Sequence, residues 1–382
     1  MCHIYQQEVD MKKRRAHTPK STRLVVVIAI MVGIAACRPD PEVITVDYYK
    51  PTPYTLVIPP FFPPMDIPAN NPLTVEGIEL GRYLFWEKKL SGDNTMSCGT
   101  CHMPSASFSD PAQFSTGIHG ELGNRQAMAL INLGWAYNYF WDGRAQTLED
   151  QVIEPVENPI EMDEDWNVAL EELRNDPIYP PMFKAAFGTE TINRNRAAMA
   201  MASFLRTMVS SGSRFDKQRI GQYTFTPQEE HGFTLFITEG GSPEQVAGGM
   251  FGADCFHCHG YGAMQMGDYL FHNNGLDAHF ENDPGRAGVT GNPLDSGKFK
   301  APTLRNIEFT APYMHDGRFT TLEQVVEHYN SGGIPSSTID PFMKFTSGGL
   351  QLPEESKADL IAFLKCLSDT EFMENPDFSD PH

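Results

Sequence analysis

Three things are scarce in this chain, and each scarcity removes a class of function. Basic charge is the first. Of 382 residues, 29 are Lys or Arg against 49 Asp or Glu, for a formal net charge of −20. Six of those bases and two of the acids fall within the first 36 residues, which leaves 23 bases against 47 acids for the remainder. A body so acidic repels nucleic acid and anionic lipid and favours cationic partners. Long apolar runs are the second. The run Leu24–Ala36 has 13 residues, well short of the roughly 20 that a membrane-spanning helix needs. Alternating strand patterns are the third, so a mainly α protein is expected.

The short apolar run has a different use. Lys12, Lys13, Arg14, Arg15, Lys20 and Arg23 precede it, and Ile34-Ala35-Ala36-Cys37 ends it. A basic stretch, a short apolar core and small residues before a cysteine are the parts of an export signal. Residues 1–36 are therefore expected to be a lipoprotein signal peptide, with Cys37 acylated as the first mature residue. The protein would face the periplasm of a bacterium and touch a membrane only through that lipid. Residues 37–72 carry Pro59-Pro60 and Pro63-Pro64 and read as a Pro-rich tether or arm.

Seven cysteines stand at 2, 37, 98, 101, 255, 258 and 366. Four of them form two copies of one motif, Cys98-Gly99-Thr100-Cys101-His102 and Cys255-Phe256-His257-Cys258-His259. This is the spacing of c-type haem attachment. Two thiols one helical turn apart reach the two vinyl groups of a porphyrin, and the next residue offers its imidazole to the iron. Two chance matches in a chain of this composition are on the order of 10⁻⁵. A redox dithiol would not need the trailing His twice, and a zinc site would draw its four cysteines together. Two covalently bound haem c groups are expected. Cys366 sits at an apolar helix position and reads as a buried thiol.

A repeat surrounds the two motifs. Thr74 can cap a helix carrying Gly81-Arg82-Tyr83-Leu84-Phe85 ahead of the first motif. Thr226, with Pro227 at the first helical position, can cap one carrying Gly232-Phe233-Thr234-Leu235-Phe236 ahead of the second. Each unit closes alike, with Ala202-Ser203-Phe204-Leu205 and Ile361-Ala362-Phe363-Leu364. The expected architecture is two tandem cytochrome c-like haem domains, 73–213 and 214–382, in which opening and closing helices pack beside the haem. The 32 Gly and 29 Pro predict long loops between them.

Further segments give a resemblance. Phe140-Trp141-Asp142-Gly143-Arg144-Ala145 follows the first motif, then Asn158-Pro159-Ile160-Glu161-Met162. Pro302-Thr303-Leu304-Arg305-Asn306 and Thr310-Ala311-Pro312-Tyr313-Met314-His315-Asp316-Gly317 follow the second. With the paired haem motifs, these segments resemble the bacterial dihaem cytochrome c peroxidase family, which includes the MauG-type enzymes, from about residue 73 to 370, nearly all of the expected mature chain. The resemblance implies a peroxidatic haem on His102 and an electron-receiving haem on His259. It implies Trp141 as the relay between them and Glu161 as the acid–base group that moves the peroxide proton. It also implies a calcium ion between the haems, with the carbonyls of Thr310 and Pro312 as ligands and Gln126 where the family has Asn.

Two positions depart from ordinary members. His119 lies one residue off the family's distal histidine and is a candidate distal ligand of the first haem. Tyr329 occupies the position of the second haem's distal Met, as in MauG-like enzymes, with Met314 and Met343 as substitutes. The implied activity is reduction of hydrogen peroxide. A small donor protein, a cytochrome c or a cupredoxin, would supply the electrons, or a protein side chain would be oxidised as MauG does. The rival reading is a dihaem electron carrier without enzymatic activity.

Overall fold

The structure is a computed structural model that describes residues 49–240, 252–260 and 264–382. The signal segment, Cys37 and the first part of the arm lie outside the described residues. Among those residues seven helices have nine or more residues. They are α1 (Val75–Trp86), α2 (Trp166–Asn175), α3 (Tyr179–Phe187), α4 (Arg194–Thr207), α5 (Pro227–Phe236), α6 (Leu322–Ser331) and α7 (Glu354–Leu364). One small sheet joins β1 (Phe271–His272) to β2 (Phe299–Lys300) antiparallel, with Phe271 opposite Lys300. The chain is thus mainly helical with little sheet.

The helix starts follow from side-chain caps. Thr74 Oγ1 accepts the amide of Gly77 at 3.1 Å at the head of α1. At α5, Thr226 and Glu229 satisfy each other's backbone amides reciprocally, and Pro227 takes the first position, where no N–H is needed. Along α1 the residues that turn inward are Gly77, Leu80, Gly81, Leu84 and Phe85, the spacing of one helical face.

The sequence repeat is a packing repeat. In α1, a methyl group at Gly81 would sit 2.0 Å from the carbonyl oxygen of Ala200 in α4, so the two backbones touch. One turn on, the rings of Phe85 and Phe204 lie 5.5 Å apart. In α5, a methyl group at Gly232 would sit 1.9 Å from the carbonyl oxygen of Asp359 in α7. One turn on, Phe236 and Phe363 lie 5.1 Å apart. A glycine in mid-helix costs about 0.5–1 kcal/mol against Ala. Here the contact it permits brings the paired aromatics together, twice.

Two hydrophobic cores result, one around α1 to α4 and one around α5 to α7. They exchange side chains across residue 213. Phe372 and Phe378 from the C-terminal tail enter the first core, where they meet Phe108 at 5.6 and 6.1 Å. Phe62 and Trp135 enter the second, 5.3 Å apart. The arm expected as a tether is tied to the body by Thr52 N on Glu76 Oε2 at 2.9 Å and Tyr54 N on Leu73 O at 3.0 Å, while most of residues 49–61 stay exposed. Phe62 is buried, and the carbonyl of Pro63 accepts the Trp135 indole N–H at 2.9 Å. Phe62 is the apolar anchor, and the exposed Val57 and Phe61 before it are not.

A buried ion pair locks the second core. Arg305 is 1% exposed and forks onto Asp216 with bonds of 2.7 and 2.8 Å, while its Nε donates to the carbonyl of Met264 at 2.8 Å. Removing one partner of such a pair strands the other charge, at a cost of about 3–5 kcal/mol. Asp216→Ala is therefore expected to lower the thermal unfolding midpoint sharply, and Asp216→Asn less so. An unchanged midpoint in the Ala variant would show that Arg305 needs no counter-charge there.

Candidate active site

Each Cys-x-x-Cys-His segment forms one tight turn. The amide of His102 donates to the carbonyl of Cys98 at 2.9 Å, and the amide of His259 donates to that of Cys255 at 2.9 Å. The turn places both thiols and the imidazole on the wall of one cavity of about 940 Å³, lined by residues of both motifs. That volume is near the top of the range for small-molecule sites, roughly 300–1,000 Å³. In the first motif Gly99 is required by a neighbour. A methyl group there would lie 2.1 Å from the Trp86 ring.

The donor set fits two haems. The four motif cysteines are free thiols. Burial pushes the unmodified thiols of Cys98 and Cys255 up to about 12, and both lie on the cavity wall. His102 Nδ1 lies 2.9 Å from the carbonyl of Phe108, and His259 Nδ1 lies 3.3 Å from that of Met266. Such a bond fixes the tautomer with Nδ1 protonated and leaves Nε2 as the lone-pair donor. Burial holds both imidazoles below their ordinary values, hence neutral, as a metal ligand must be. Phe85, Ile131, Met201 and Leu205 supply apolar wall near the first motif's helices, and Phe236, Val326, Leu360 and Leu364 near the second's.

Glu161 lines the same cavity. Asn158 Nδ2 donates to its Oε1 at 2.6 Å. Burial raises its carboxyl above the ordinary value; the Asn158 bond and the Arg144 charge pull the other way. The loop 115–123 holds this segment by its backbone. Ile118 N donates to Glu161 O at 3.0 Å, and a methyl group on Gly117 would lie 2.2 Å from Ile160 O.

Trp141 also lines the cavity, and its indole N–H donates to the carbonyl of Gln126 at 2.7 Å. Gln126, Thr310 and Pro312 line it too. The amide of Gln126 donates to His315 O at 2.8 Å, which ties it to the 310–315 segment. Its side-chain nitrogen is spent on Ser109 Oγ and Asp110 O, at 2.8 and 3.1 Å. Tyr329 lines the cavity, and its hydroxyl accepts from Asn274 Nδ2 at 3.2 Å; the same nitrogen stands 3.4 Å from Met314 Sδ. Burial pushes the Tyr329 phenol up to about 12. Met343 is a further lining residue.

His119 stands apart. It does not line the cavity; its imidazole is exposed, with Nε2 2.7 Å from Asp163 Oδ2. The structure brings the other expected site residues to one cavity and leaves this one at the surface, because the turn Gly117–Gly120 that packs on Glu161 points its tip outward. Cys366 is buried as expected, its thiol donating to Ala362 O at 3.4 Å. Three residues escaped the sequence reading. Asn158 opens the segment Asn158–Met162, whose pattern gives it no role of its own. Asn274 and Lys300 carry no motif of their own; Lys300 lies two residues before Pro302, and position alone could have flagged it.

Residues 75–224 match the family model described as di-haem cytochrome c peroxidase. Over 341 residues the chain is 33% identical to cytochrome-c peroxidase IdrP1 of Pseudomonas sp. strain SCT, covering 81% of this chain and 85% of that protein. Over 304 residues it is 34% identical to methylamine utilization protein MauG of Methylorubrum extorquens, covering 78% and 80%. Among solved structures, a MauG-like protein associated with microbial copper homeostasis superposes with a TM-score of 0.76 at 34% identity, covering 86% of this chain and 99% of the other.

Proposed function

Because the chain belongs to the dihaem cytochrome c peroxidase family, on its MauG-like branch, we infer that the cavity serves a peroxidase built on two haem c groups, one on each Cys-x-x-Cys-His turn. The protein is an oxidoreductase that reduces hydrogen peroxide with electrons passed between the haems. The observation that carries the site assignment is that both motifs, Glu161 and Trp141 line one cavity.

When bound, the haems supply the redox chemistry and the iron at which peroxide is reduced. The chain's own residues do the rest. His102 and His259, held through Nδ1 by the carbonyls of Phe108 and Met266, would offer Nε2 to the irons. Glu161 takes a proton from one peroxide oxygen and returns it to the other, so that water can leave. Asn158 fixes one of its oxygens for that task. Trp141, anchored on Gln126, offers a π-system in the shared wall for electrons to cross. Thr310, Pro312 and Gln126 are the group assigned to calcium, a hard cation suited to carbonyl oxygens. Haem domains of 73–213 and 214–382 go with this reading.

The acidic body suits a basic electron donor, a small cytochrome c or cupredoxin. Among the described residues no helix is long and apolar enough to cross a membrane. We assign an exported, periplasm-facing protein held by a lipid on Cys37, which mass spectrometry of the mature N-terminus would test. The whole reading is tested by peroxide-dependent oxidation of a reduced cytochrome c by purified protein. No turnover with either a cytochrome or a cupredoxin would move the assignment to oxidation of a protein side chain.

Tyr329 decides how such an enzyme stores oxidising power. We assign it, with His259, to the residues that would hold the second haem, with the Asn274 amide fixing its hydroxyl. A phenolate is anionic and hard, so it favours ferric iron, whereas a thioether raises the potential. Tyr329→Met is expected to raise the midpoint potential of one haem and speed its reduction by small donors. If instead Met314, beside the same amide, is the ligand, the unmutated protein will show the near-infrared band of His/Met ligation and Tyr329→Met will change neither quantity.

A further inference from the structure

Lys300 is 4% exposed and forms part of the cavity wall. It belongs to β2, and its backbone N–H donates to Trp141 O at 2.8 Å. Its ammonium donates to Asn138 O at 2.8 Å and stands 5.6 Å from the centroid of the Tyr139 ring. Among the described residues no carboxylate oxygen lies within 4.0 Å of it. The acid whose charge it feels, Asp142, is already held by Arg125 at 2.6 Å and Arg144 at 3.3 Å.

An ammonium carries three donors, and one neutral carbonyl accounts for one of them. A buried charge without a counter-charge is costly, and burial pulls this lysine down to about 8 despite the charge of Asp142. The arrangement calls for an anion arriving from the cavity side. The occupant inferred above brings such anions, the propionate carboxylates on the edge of each porphyrin. We propose that Lys300 grips a haem propionate at the wall it shares with Trp141, and thereby sets the potential of that haem. This rests on the reading that the cavity holds haem. A fixed positive charge near the macrocycle disfavours ferric iron, so its loss should lower the potential.

The test uses the full-length holoprotein with Lys300→Met, which keeps the length and removes the charge. Haem is counted by pyridine haemochrome, and both midpoints are measured by spectroelectrochemical titration. The expected result is two haems per chain, with one midpoint lowered so that its reduced-to-oxidised ratio at fixed potential falls about tenfold, about 59 mV for one electron. The other midpoint should stay put. The haem that moves identifies whose propionate is held, and Lys300→Arg should restore most of the shift. Two haems with both midpoints unmoved would overturn the proposal and leave Lys300 as a strut for Asn138. If Lys300→Met takes up no haem, the comparison of Lys300→Arg with Lys300→Gln decides, since equal midpoints in that pair would overturn it as well. One haem or none in the unmutated protein would instead overturn the underlying haem reading.

Discussion

In Cys98→Ala/Cys101→Ala, covalently bound haem is expected to fall from two per chain to one, and peroxide turnover to background. Cys255→Ala/Cys258→Ala should lose the other haem. Each pair of thiols sits on a turn whose amide geometry is set by the backbone, His102 N to Cys98 O and His259 N to Cys255 O. Replacing sulfur by hydrogen leaves that turn able to form. What disappears is the covalent tether, so the assay must follow haem through denaturation, by haem staining of a gel and by pyridine haemochrome. The loss should also reach the fold. Phe85 and Leu205 of the first pair of packed helices, and Phe236 and Leu364 of the second, face the cavity, so a missing haem strips an apolar wall of its partner and lowers the unfolding midpoint. Double-cysteine variants that retained both covalent haems would remove the foundation of the site. The two variants should differ in kind. On the proposed roles, the first would lose the haem that Glu161 is proposed to serve. The second would keep that haem and lose the one proposed to receive electrons, so a single turnover with peroxide should survive in it.

The repeat that organises this fold was legible because each half needs the same local solution. Glycine is the residue that lets two helix backbones touch, and phenylalanine one turn later fills the space beside them. Gly81 with Phe85 and Gly232 with Phe236 were visible as strings; their partners on the closing helices, Phe204 and Phe363, were visible as the matching strings. The haem turns were legible because covalent attachment demands fixed spacing. Less legible was everything set by long-range packing. The tail residues Phe372 and Phe378 cross into the first core, and Phe62 of the Pro-rich arm enters the second. No local pattern marks a residue that packs into the other half. The same holds for Asn274 and Lys300, whose roles depend on Tyr329 and Trp141 being brought beside them. His119 illustrates the reverse case. The histidine near the family's position stands on an exposed turn beside Asp163, and sequence spacing does not say which way such a side chain faces.

Glu161→Gln is expected to lower peroxide turnover by at least ~100-fold, the lower end of what a positioned acid–base group contributes, about 10²–10⁴-fold. The substitution keeps the shape. Gln retains an oxygen for the Asn158 amide, and the backbone bond from Ile118 is untouched. Haem content and resting spectra should therefore hardly change. What is lost is the ability to take a proton from peroxide and return it to the departing oxygen. Geometry supports that task, because one carboxylate oxygen is fixed by Asn158 while, among the described residues, Oε2 takes no hydrogen bond. The pH profile gives a second reading of the same group. Burial outweighs the Asn158 bond and the Arg144 charge and raises the carboxyl above its ordinary value. The base form is the carboxylate, so activity should fall as pH drops through that raised pKa. The acid limb of kcat/KM should accordingly lie above the usual carboxylate range, near 4.3. It should be missing from the residual activity of Glu161→Gln, since an amide does not titrate. Arg144→Ala should displace the limb further upward, because that cation favours the ionised form, and its partner Glu154 would then oppose ionisation of Glu161 unscreened. Near-normal turnover in Glu161→Gln, with the acid limb still in place, would assign the proton to another group and leave Glu161 as the clasp between Asn158 and the loop at Ile118.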